Sequence, residues 1–262
     1  MYRLVNDSEY DSQVEDWKGR TPSILWEKQF DLLNLNISDK NVLDCGCGCG
    51  HFVEFFTKRN AQVTGYDREK RCLDEAAKIK PGYERLLQGN IEDINVLDYS
   101  FDLIMMRYVL HHIKENFHQS VLNSLFNKLN VGGKIMIETA FQEQFIKHHD
   151  HQIFPRLTEI LCDVYPKKDE LFSLLYYSGF SNISEREIFL EWDNYKTVDD
   201  ALKRSKLLLD SGKGPTAWLL LSKEERSEFH NTRKEKLKIL FPENKVPRYW
   251  YSSIIIAEKS NV

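Results

Sequence analysis

Three glycines at alternate positions, Gly46, Gly48 and Gly50, follow a short apolar run in the segment NVLDCGCGCGH. Glycine adopts the backbone angles that a tight turn needs, and it lets a ligand approach the main chain closely. A turn with a purely structural role does not require three glycines at this spacing. The loop therefore predicts a binding site for a nucleotide-like cofactor.

The residues on either side of this loop narrow the choice of cofactor. The dinucleotide-binding pattern G-x-G-x-x-G requires a glycine where this chain has His51. Asp44 ends the apolar run, and a carboxylate at that point would repel a pyrophosphate. The same carboxylate suits a cofactor with a positively charged amino acid end, such as the α-ammonium of S-adenosylmethionine beside its sulfonium. A P-loop is not expected, because Gly133–Lys134 is followed by isoleucine.

Two later motifs suit the nucleoside half of such a cofactor. Asp67 closes the segment VTGYD, 21 residues after Gly46. An acid at the end of the second strand can accept hydrogen bonds from both ribose hydroxyls. In GNIED, Asn90 could bond the adenine amino group and Ile91 could pack on the ring. The alternative is that Asn90 serves only as a helix N-cap.

The segments around these motifs alternate between short apolar runs and helical stretches. The candidate strands cover 41–44, 62–66, 84–88, 101–106 and 134–138, and the candidate helices cover 51–59, 69–79 and 115–129. The runs VLDC, DLIMM and KIMIE are nearly all apolar, as expected for parallel strands that are covered on both faces. This pattern predicts an α/β fold with a doubly wound sheet.

The rest of the chain follows a different pattern. A helix is predicted over 168–178, and strands are predicted over 183–190 and 252–258. Between those two strands, residues 191–250 are rich in helix formers, and a connection of this length is often a functional lid. The first 38 residues also have the pattern of one or two helices.

Five motifs, in this order and spacing, carry a family resemblance. They are VLDCGCGCG at 42–50, VTGYD at 63–67, GNIED at 89–93, FDLIMMRYVLHHI at 101–113 and LNVGGKIMIE at 129–138. The sequence resembles the Rossmann-like, class I S-adenosylmethionine-dependent methyltransferases, and its tail looks like their generic small-molecule branch. The resemblance implies a seven-stranded sheet with an antiparallel last strand, which SSIIIAEK at 252–259 would form.

The pattern along the chain and the resemblance, which covers about residues 40–139, together predict a domain layout. Residues 1–262 would form a single methyltransferase domain with a cofactor-binding core at 39–140. The N-terminal helices at 1–38 and the helical insertion at 191–250 would be lids over the acceptor. The motif Asn-Pro-Pro-Tyr of amino-methylating DNA and protein enzymes is missing. This difference argues against adenine or glutamine as the acceptor.

The family pattern assigns cofactor contacts to ten positions. It implies Asp44, Gly46, Cys47 and Gly48 around the methionine part, Asp67 and Arg68 at the ribose, Asn90 and Ile91 at the adenine, and Met106 and Arg107 beside the methionine and the transferred methyl. Many relatives have a small residue at the position of Arg107.

Catalytic and acceptor-binding residues are predicted after the fourth strand and, for Trp17, in the N-terminal segment. His111 or His112 could deprotonate an acceptor hydroxyl, since imidazole titrates near neutral pH. The alternative is that His112 is a packed residue that orients the loop. We expect Trp17, Tyr108 and His111 to contact the acceptor, because aromatic side chains can line a pocket for an apolar, aromatic or cationic group.

The composition argues against several other classes of protein. The chain has 262 residues, and its 36 Lys and Arg against 40 Asp and Glu give a net charge of −4, so nucleic acid is not the expected partner. No apolar run approaches the roughly 20 residues of a membrane span. The polar, acidic start is not expected to be a signal or transit peptide. Five cysteines, three of them in one loop, make a poor disulfide framework, so a cytoplasmic location is expected.

No metal site is expected. Cys45, Cys47 and Cys49 alternate within a glycine loop, whereas structural zinc sites more often use pairs separated by two to four residues. The segment HHDH at 148–151 is expected to be a solvated loop, with acceptor contact or metal binding as the alternatives. The helical stretch 222–240 is expected to expose a charged face.

Together these features predict direct in-line transfer of a methyl group from S-adenosylmethionine to O, N, S or C of a small molecule, leaving S-adenosylhomocysteine. Much of the catalysis can come from alignment and exclusion of water. The alternatives are a tRNA- or protein-directed methyltransferase and an inactive, cofactor-binding regulatory protein.

Overall fold

The computed structural model describes residues 22–80, 82–211 and 215–260. The chain folds around a seven-stranded sheet of order β3-β2-β1-β4-β5-β7-β6. The strands are β1 (Asn41–Cys45), β2 (Gln62–Asp67), β3 (Arg85–Gln88), β4 (Phe101–Arg107), β5 (Leu129–Thr139), β6 (Ser181–Tyr195) and β7 (Val246–Glu258). Strands β1 to β5 pair in parallel, and β7 pairs antiparallel to β5. This topology confirms the predicted doubly wound fold.

Helices accompany the strands along the chain. The α-helices are α1 (Ile24–Asp31), α2 (Val53–Thr57), α3 (Lys70–Ala76), α4 (His118–Lys128), α5 (Gln142–Phe145), α6 (His149–Ile153), α7 (Arg156–Cys162), α8 (Lys168–Tyr177), α9 (Val198–Asp210), α10 (Thr216–Leu219) and α11 (Lys223–Leu240). Short 3-10 helices cover Ile91–Val96, Leu110–His112 and Glu115–Phe117. In the described part of the chain, no helix combines the length and apolar character that a membrane crossing requires.

The described residues divide into two compact units. The first, here called the sheet unit, contains 22–139, 168–186 and 253–260. The second, the helical unit, contains 140–167, 187–211 and 215–252. The lids predicted at 1–38 and 191–250 remain a prediction, and residues 1–21 lie outside the described part of the chain.

The sheet unit has an aromatic core beside β1. Helix α1 begins after Ser23, whose hydroxyl accepts a hydrogen bond from the backbone N–H of Trp26 at 3.1 Å. Trp26 and Phe30 point inward from this helix and pack on Phe55 of α2, with ring centroids 4.9 to 5.2 Å apart. Full burial of a phenylalanine contributes roughly 2 kcal/mol. These contacts fix α1 within the sheet unit.

The helical unit has its own core, built from α7, α9, α10 and α11. Helix α11 begins with a capping box, in which Ser222 and Glu225 each accept a hydrogen bond from the other's backbone N–H. Phe229 and Leu237 on the inner side of α11 are buried. This inner side also holds Arg233, so the prediction of a fully exposed charged face at 222–240 was wrong at that residue.

Arg233 is 2% exposed and forms a buried ion pair. Its Nε donates to Oδ1 of Asp150 at 2.6 Å, and its Nη1 donates to the carbonyl of Ala201 and the hydroxyl of Ser205, both at 3.1 Å. A buried charge is retained where it is paired and hydrogen-bonded. The solvated loop predicted at 148–151 was also wrong, because Asp150 and the flanking His149 and His151 are buried in α6.

Candidate active site

The site lies in the sheet unit, at the carboxyl ends of β1, β2 and β4. In the parallel register, Asp44 of β1 pairs with Gly65 of β2 and with Met105 of β4. The residues that follow these strands therefore meet at one edge of the sheet, where ligands bind in open α/β folds. Asp44, Asp67 and Arg107, which were predicted from separate motifs, all lie at this edge.

Asp44 is a buried carboxylate, only 2% exposed. The phenol of Tyr83 donates a hydrogen bond to its Oδ2 at 2.7 Å. Burial raises the pKa of Asp44 to about 7, the neighbouring charge of Asp67 adds to this, and Tyr83 and Arg107 act in the opposite direction. The carboxyl is thus poised to ionise near neutral pH, and a cation beside it would favour the ionised form.

The glycine loop has the left-handed backbone that its sequence predicts. The φ angles of Gly46, Gly48 and Gly50 are +79°, +51° and +87°. The N–H groups of Gly46 and Cys47 both donate to the carbonyl of Tyr66, at 2.7 and 3.2 Å. A Cβ on Gly46 would lie 2.3 Å from Cγ2 of Val109, whereas a Cβ on Gly48 would meet no atom within 4 Å. Gly46 is therefore needed for packing, and Gly48 borders open space.

This contrast gives a matched pair of substitutions. We expect Gly46→Ala to lower the free energy of unfolding by about 2 to 4 kcal/mol, through the left-handed φ and the clash with Val109. Gly48→Ala should cost only about 1 kcal/mol, from backbone strain alone. Urea unfolding of both variants beside the wild type measures the difference. Equal losses would contradict the packing role of Gly46.

Asp67 joins the glycine loop to the start of α3. Its Oδ2 accepts from the N–H of Gly48 and its Oδ1 accepts from the N–H of Glu69, each at 2.8 Å. Burial raises the pKa of Asp67, while these two amides lower it. Each carboxylate oxygen keeps a second lone pair, so Asp67 can still accept hydrogen bonds from a diol. The backbone carbonyl of neighbouring Arg68 accepts from Gln88 at 3.1 Å.

The third strand ends near Asn90 and Ile91. The carbonyl of Asn90 accepts a hydrogen bond from the phenol of Tyr66 at 2.8 Å. The Asn90 side chain is exposed and makes no capping bond to the 3-10 helix that follows. The described geometry thus leaves this amide available to a ligand, and Ile91 beside it is half-buried.

Strand β4 ends in a strained turn. Met106 is buried, and Tyr108 adopts a φ of +53°, which is uncommon for a side chain of this size. The backbone N–H of Tyr108 donates to the carbonyl of Glu138 at 2.9 Å. Strain of this kind costs about 1 to 3 kcal/mol and tends to occur at functional sites.

Glu138, a buried carboxylate at the end of β5, was not predicted as a site residue. Its Oε2 accepts hydrogen bonds from Nε of Arg107 and from the indole N–H of Trp26, both at 2.7 Å. Tyr83, the partner of Asp44, was not predicted either. The signal for Glu138 was an acid inside the apolar run KIMIE, whereas the role of Tyr83 depends on a contact between segments far apart in sequence.

His111 and His112 lie in the 3-10 turn after β4, with ring centroids 4.0 Å apart. Burial lowers the pKa of His111 well below its usual range. Burial, together with the charge of Arg68, lowers the pKa of His112 to about 4. Both imidazoles are therefore neutral at pH 7. Trp17, which was predicted to contact the acceptor together with Tyr108 and His111, lies outside the described residues.

The thiols in the glycine loop are buried, and those of Cys45 and Cys47 are poorly ionised. Burial raises the pKa values of Cys45 and Cys47, with Asp44 adding to the effect. Cys49 packs its Sγ against that of Cys72, 3.2 Å away. A thiolate is the form that binds metals and reacts as a nucleophile, so these thiols suit a packing role.

Within the described ranges, one group of three side chains lies close enough to share a cation. The ligand atoms of His148, His149 and Asp150, in the helical unit, are within 4.8 Å of one another. Asp150 is already paired with the guanidinium of Arg233. A second cation there would meet electrostatic repulsion from that guanidinium.

Comparison with known families identifies the class of protein. Residues 25–185 match a family model described as a methyltransferase domain. This match spans more than half of the chain, so the chain belongs to that family. The assignment confirms the resemblance to S-adenosylmethionine-dependent methyltransferases that the five motifs carry.

Curated relatives share the same region at low identity. The chain is 32% identical over 106 residues to an uncharacterized methyltransferase of Synechocystis, covering 40% of this chain and 50% of the relative. It is 30% identical over 108 residues to the mitochondrial ubiquinone biosynthesis O-methyltransferase of Schizosaccharomyces pombe, covering 39% and 38%. The match thus spans half or less of these relatives' length.

Solved structures are similar to a larger part of this chain than the curated relatives are. A phosphoethanolamine N-methyltransferase of Haemonchus contortus, in complex with phosphomonomethylethanolamine and S-adenosylhomocysteine, superposes with a TM-score of 0.55 at 15% identity. The superposition covers 97% of this chain and 58% of that one. At this identity the likeness concerns the fold alone.

Proposed function

We propose that this chain transfers a methyl group from S-adenosylmethionine to a small-molecule acceptor. The observation that carries the proposal is a pair of acids, the buried Asp44 and the half-buried Asp67, on either side of a glycine loop at the carboxyl edge of the sheet. No described residue forms an ion pair with Asp44, so this buried carboxylate suits a ligand cation. The open space at Gly48 suits the close approach of a ligand to the backbone.

Each part of the cofactor has a fitting group among the described residues. Asp44 would bind the α-ammonium, and the Asp67 carboxylate would accept hydrogen bonds from the ribose hydroxyls, with Arg68 beside it. Asn90 and Ile91 would bond and cover the adenine. The backbone at Gly46, Cys47, Gly48 and Met106 would border the methionine part. When bound, the cofactor supplies an electrophilic methyl on a sulfonium, and the role of this chain is to orient the two reactants and exclude water.

Calorimetric titration with S-adenosylhomocysteine tests this proposal. We expect micromolar binding by the wild type, a loss of about 100-fold in Asp67→Ala, and no binding of NAD. Asp74→Ala, which removes an exposed acid paired with Lys70 on α3, is the matched control and should leave binding unchanged. Failure of the folded wild type to bind would overturn the cofactor assignment.

The two histidines are proposed to act near the acceptor as neutral groups. With a pKa of about 4, His112 can accept a hydrogen bond but remains unprotonated through physiological pH. We expect its ring resonances, assigned by comparison with His112→Asn, to show no titration between pH 5.5 and 8 in nitrogen-15 NMR. A midpoint near 6.5 would contradict the buried, neutral state and favour a general base instead.

A small-molecule acceptor is the second part of the proposal. The curated relative from Schizosaccharomyces pombe carries the name of a ubiquinone biosynthesis O-methyltransferase, and the structural relative from Haemonchus contortus that of a phosphoethanolamine N-methyltransferase. Both names belong to enzymes of small molecules. The net charge of −4 also disfavours a nucleic acid acceptor.

The acceptor-binding role of the additions belongs to the same proposal. Residues 1–38, with Trp17, and residues 191–250 would close over the acceptor, while Tyr108 and His111 would contact it from the sheet unit. Hydrogen exchange measured with and without S-adenosylhomocysteine plus a pool of candidate acceptors tests this role. Added protection confined to residues 39–139 would contradict it.

A further inference from the structure

The side chain of Tyr83 reaches Asp44 across a neighbouring strand. Tyr83 precedes β3 by two residues, and Asp44 belongs to β1. The sheet order β3-β2-β1 places β2 between them, and adjacent strands are about 4.8 Å apart. The phenol of Tyr83 nevertheless donates a hydrogen bond to Oδ2 of Asp44 at 2.7 Å. The ring must therefore lie over β2.

A glycine of β2 leaves the space for this ring. In the parallel register, Gly65 pairs with Asp44 on one side and with Leu86 on the other. A Cβ on Gly65 would lie 3.0 Å from both Cε1 of Tyr83 and Sγ of Cys47. These distances are shorter than ordinary van der Waals contact, so a side chain at position 65 would press on the Tyr83 ring. The glycine thus allows the phenol to approach Asp44.

The hydrogen bond from Tyr83 occupies one oxygen of the Asp44 carboxylate. Among the described residues, Tyr83 donates the one side-chain hydrogen bond that this carboxylate accepts, so Oδ1 keeps both lone pairs for a ligand. Burial beside Asp44 holds the pKa of Tyr83 well above its usual range, so the phenol remains a donor. A hydrogen bond to an ionised acceptor is stronger than one to a neutral acceptor. Tyr83 therefore favours the ionised form of Asp44.

Other charged and titratable groups surround the same carboxyl. Asp67 at the end of β2 raises the pKa of Asp44, and Arg107 at the end of β4 lowers it. Burial keeps the pKa of the Cys47 thiol well above its usual range, so this neighbour of Tyr83 is uncharged. Of these groups, Tyr83 is the one whose side chain bonds the carboxyl directly. Its removal should therefore change the ionisation of Asp44 without a change of charge nearby.

We propose that Tyr83 positions Asp44 for the cation of the cofactor and sets the pH above which the site binds that cation. The inference rests on the proposed function. The phenol fixes Oδ2, so Oδ1 meets the ligand ammonium at a defined point. The same bond keeps the carboxylate ionised at a pH where burial alone would protonate it. Tyr83 acts through Asp44 and is thus a positioning residue.

Calorimetric titration with S-adenosylhomocysteine between pH 5.5 and 8.5 tests this role. In Tyr83→Phe the affinity should level off about one pH unit higher than in the wild type. The variant should bind about tenfold more weakly at pH 6.5 and come within about threefold of the wild type at pH 8.5. Tyr99→Phe, which removes the hydroxyl of an exposed tyrosine, is the matched control and should keep the wild-type profile. An equal loss at every pH would indicate a purely structural role and overturn the inference.

A second variant disturbs the same hydrogen bond from β2. Gly65→Ala should displace the Tyr83 ring and shift the pH profile in the same direction. The double variant Tyr83→Phe, Gly65→Ala should shift it no further than Tyr83→Phe alone, because the bond is already lost. Additive shifts would overturn the inference that both substitutions act through this bond.

Carbon-13 NMR of the Asp44 carboxyl tests the inference without a ligand. The resonance is assigned by comparison with Asp44→Asn. Its titration midpoint should lie near the pKa of about 7 in the wild type and rise by about one unit in Tyr83→Phe. An unchanged midpoint would overturn the inference. If the midpoint moves but the wild type binds no S-adenosylhomocysteine, the proposed function fails while the effect of Tyr83 on Asp44 stands.

Discussion

Replacement of Asp44 by asparagine will make the ligand-free protein more stable and its binding of S-adenosylhomocysteine weaker. The carboxyl is fully buried, and its pKa is raised from 3.8 to about 7. At pH 8 the folded protein therefore holds a charge that burial disfavours. Asparagine removes this charge and keeps an oxygen that can accept the hydrogen bond from Tyr83.

The pH dependence follows from the direction of the shift. The folded state binds the proton of Asp44 more tightly than the unfolded state, so this group favours folding at low pH. Its contribution is lost as the pH rises from about 4 to about 7. The gain in the free energy of unfolding caused by Asp44→Asn should therefore be small at pH 5 and reach about 2 to 4 kcal/mol at pH 8. Urea unfolding at both pH values measures it.

Cofactor binding by Asp44→Asn should change in the opposite direction. A cationic α-ammonium requires the ionised carboxylate, so wild-type affinity should rise between pH 5.5 and 7.5 and then level off. The variant should bind about 100-fold more weakly and should lose this rise. Asp74→Asn on the surface of α3 is the control for both measurements. A variant that is less stable than the wild type at pH 8 would contradict the account.

Replacement of Arg233 by methionine will cause a large loss of stability in the helical unit. The guanidinium is the partner of Asp150, and it also bonds Ala201 and Ser205. Removing one member of a buried pair leaves the other charge without compensation, at a cost of about 3 to 5 kcal/mol. The matched control is Arg156→Ala, which breaks a surface pair with Glu225 and should cost about 1 kcal/mol or less.

Two measurements separate this effect from lost packing. The double variant Arg233→Met, Asp150→Leu should regain much of the stability, because no buried charge remains. Burial alone would raise the pKa of Asp150, and the charge of Arg233 instead keeps it below its usual value. The ion pair therefore stabilises the protein at pH values above the pKa of Asp150 in the unfolded chain, which is near 4. The loss of stability caused by Arg233→Met should shrink as the pH falls below that value. A deficit independent of pH would contradict the ion-pair explanation.

The cofactor edge of the sheet was predictable because local sequence determines it. The glycine loop and Asp67 follow apolar strands, and parallel strands place their carboxyl ends together. The partners of these residues were not predictable. Tyr83 reaches Asp44 and Trp26 reaches Glu138 across 39 and 112 residues of sequence, through packing that no local pattern encodes.

The tail of the chain was predicted less well. Strand β7 begins at Val246 and β6 ends at Tyr195, so both ends of the predicted helical insertion at 191–250 are strand. The segment VPRYWY contains β-branched and aromatic residues that favour strands, but the proline at 247 disfavours the interior of a strand. Arg233 and Asp150 are buried because they contact each other. Since the sequence does not show this contact, the charge of each residue predicted a position at the surface.

The hydrogen bond from Trp26 to Glu138 gives the protein an intrinsic spectroscopic probe. The Trp26 indole is 1% exposed, and the oxygen that it bonds also receives the guanidinium of Arg107. A ligand that draws Arg107 outward would change the electron density on that oxygen, and the chemical shift of the indole proton would follow. A single resonance of an unlabelled side chain could thus report ligand occupancy from within the core.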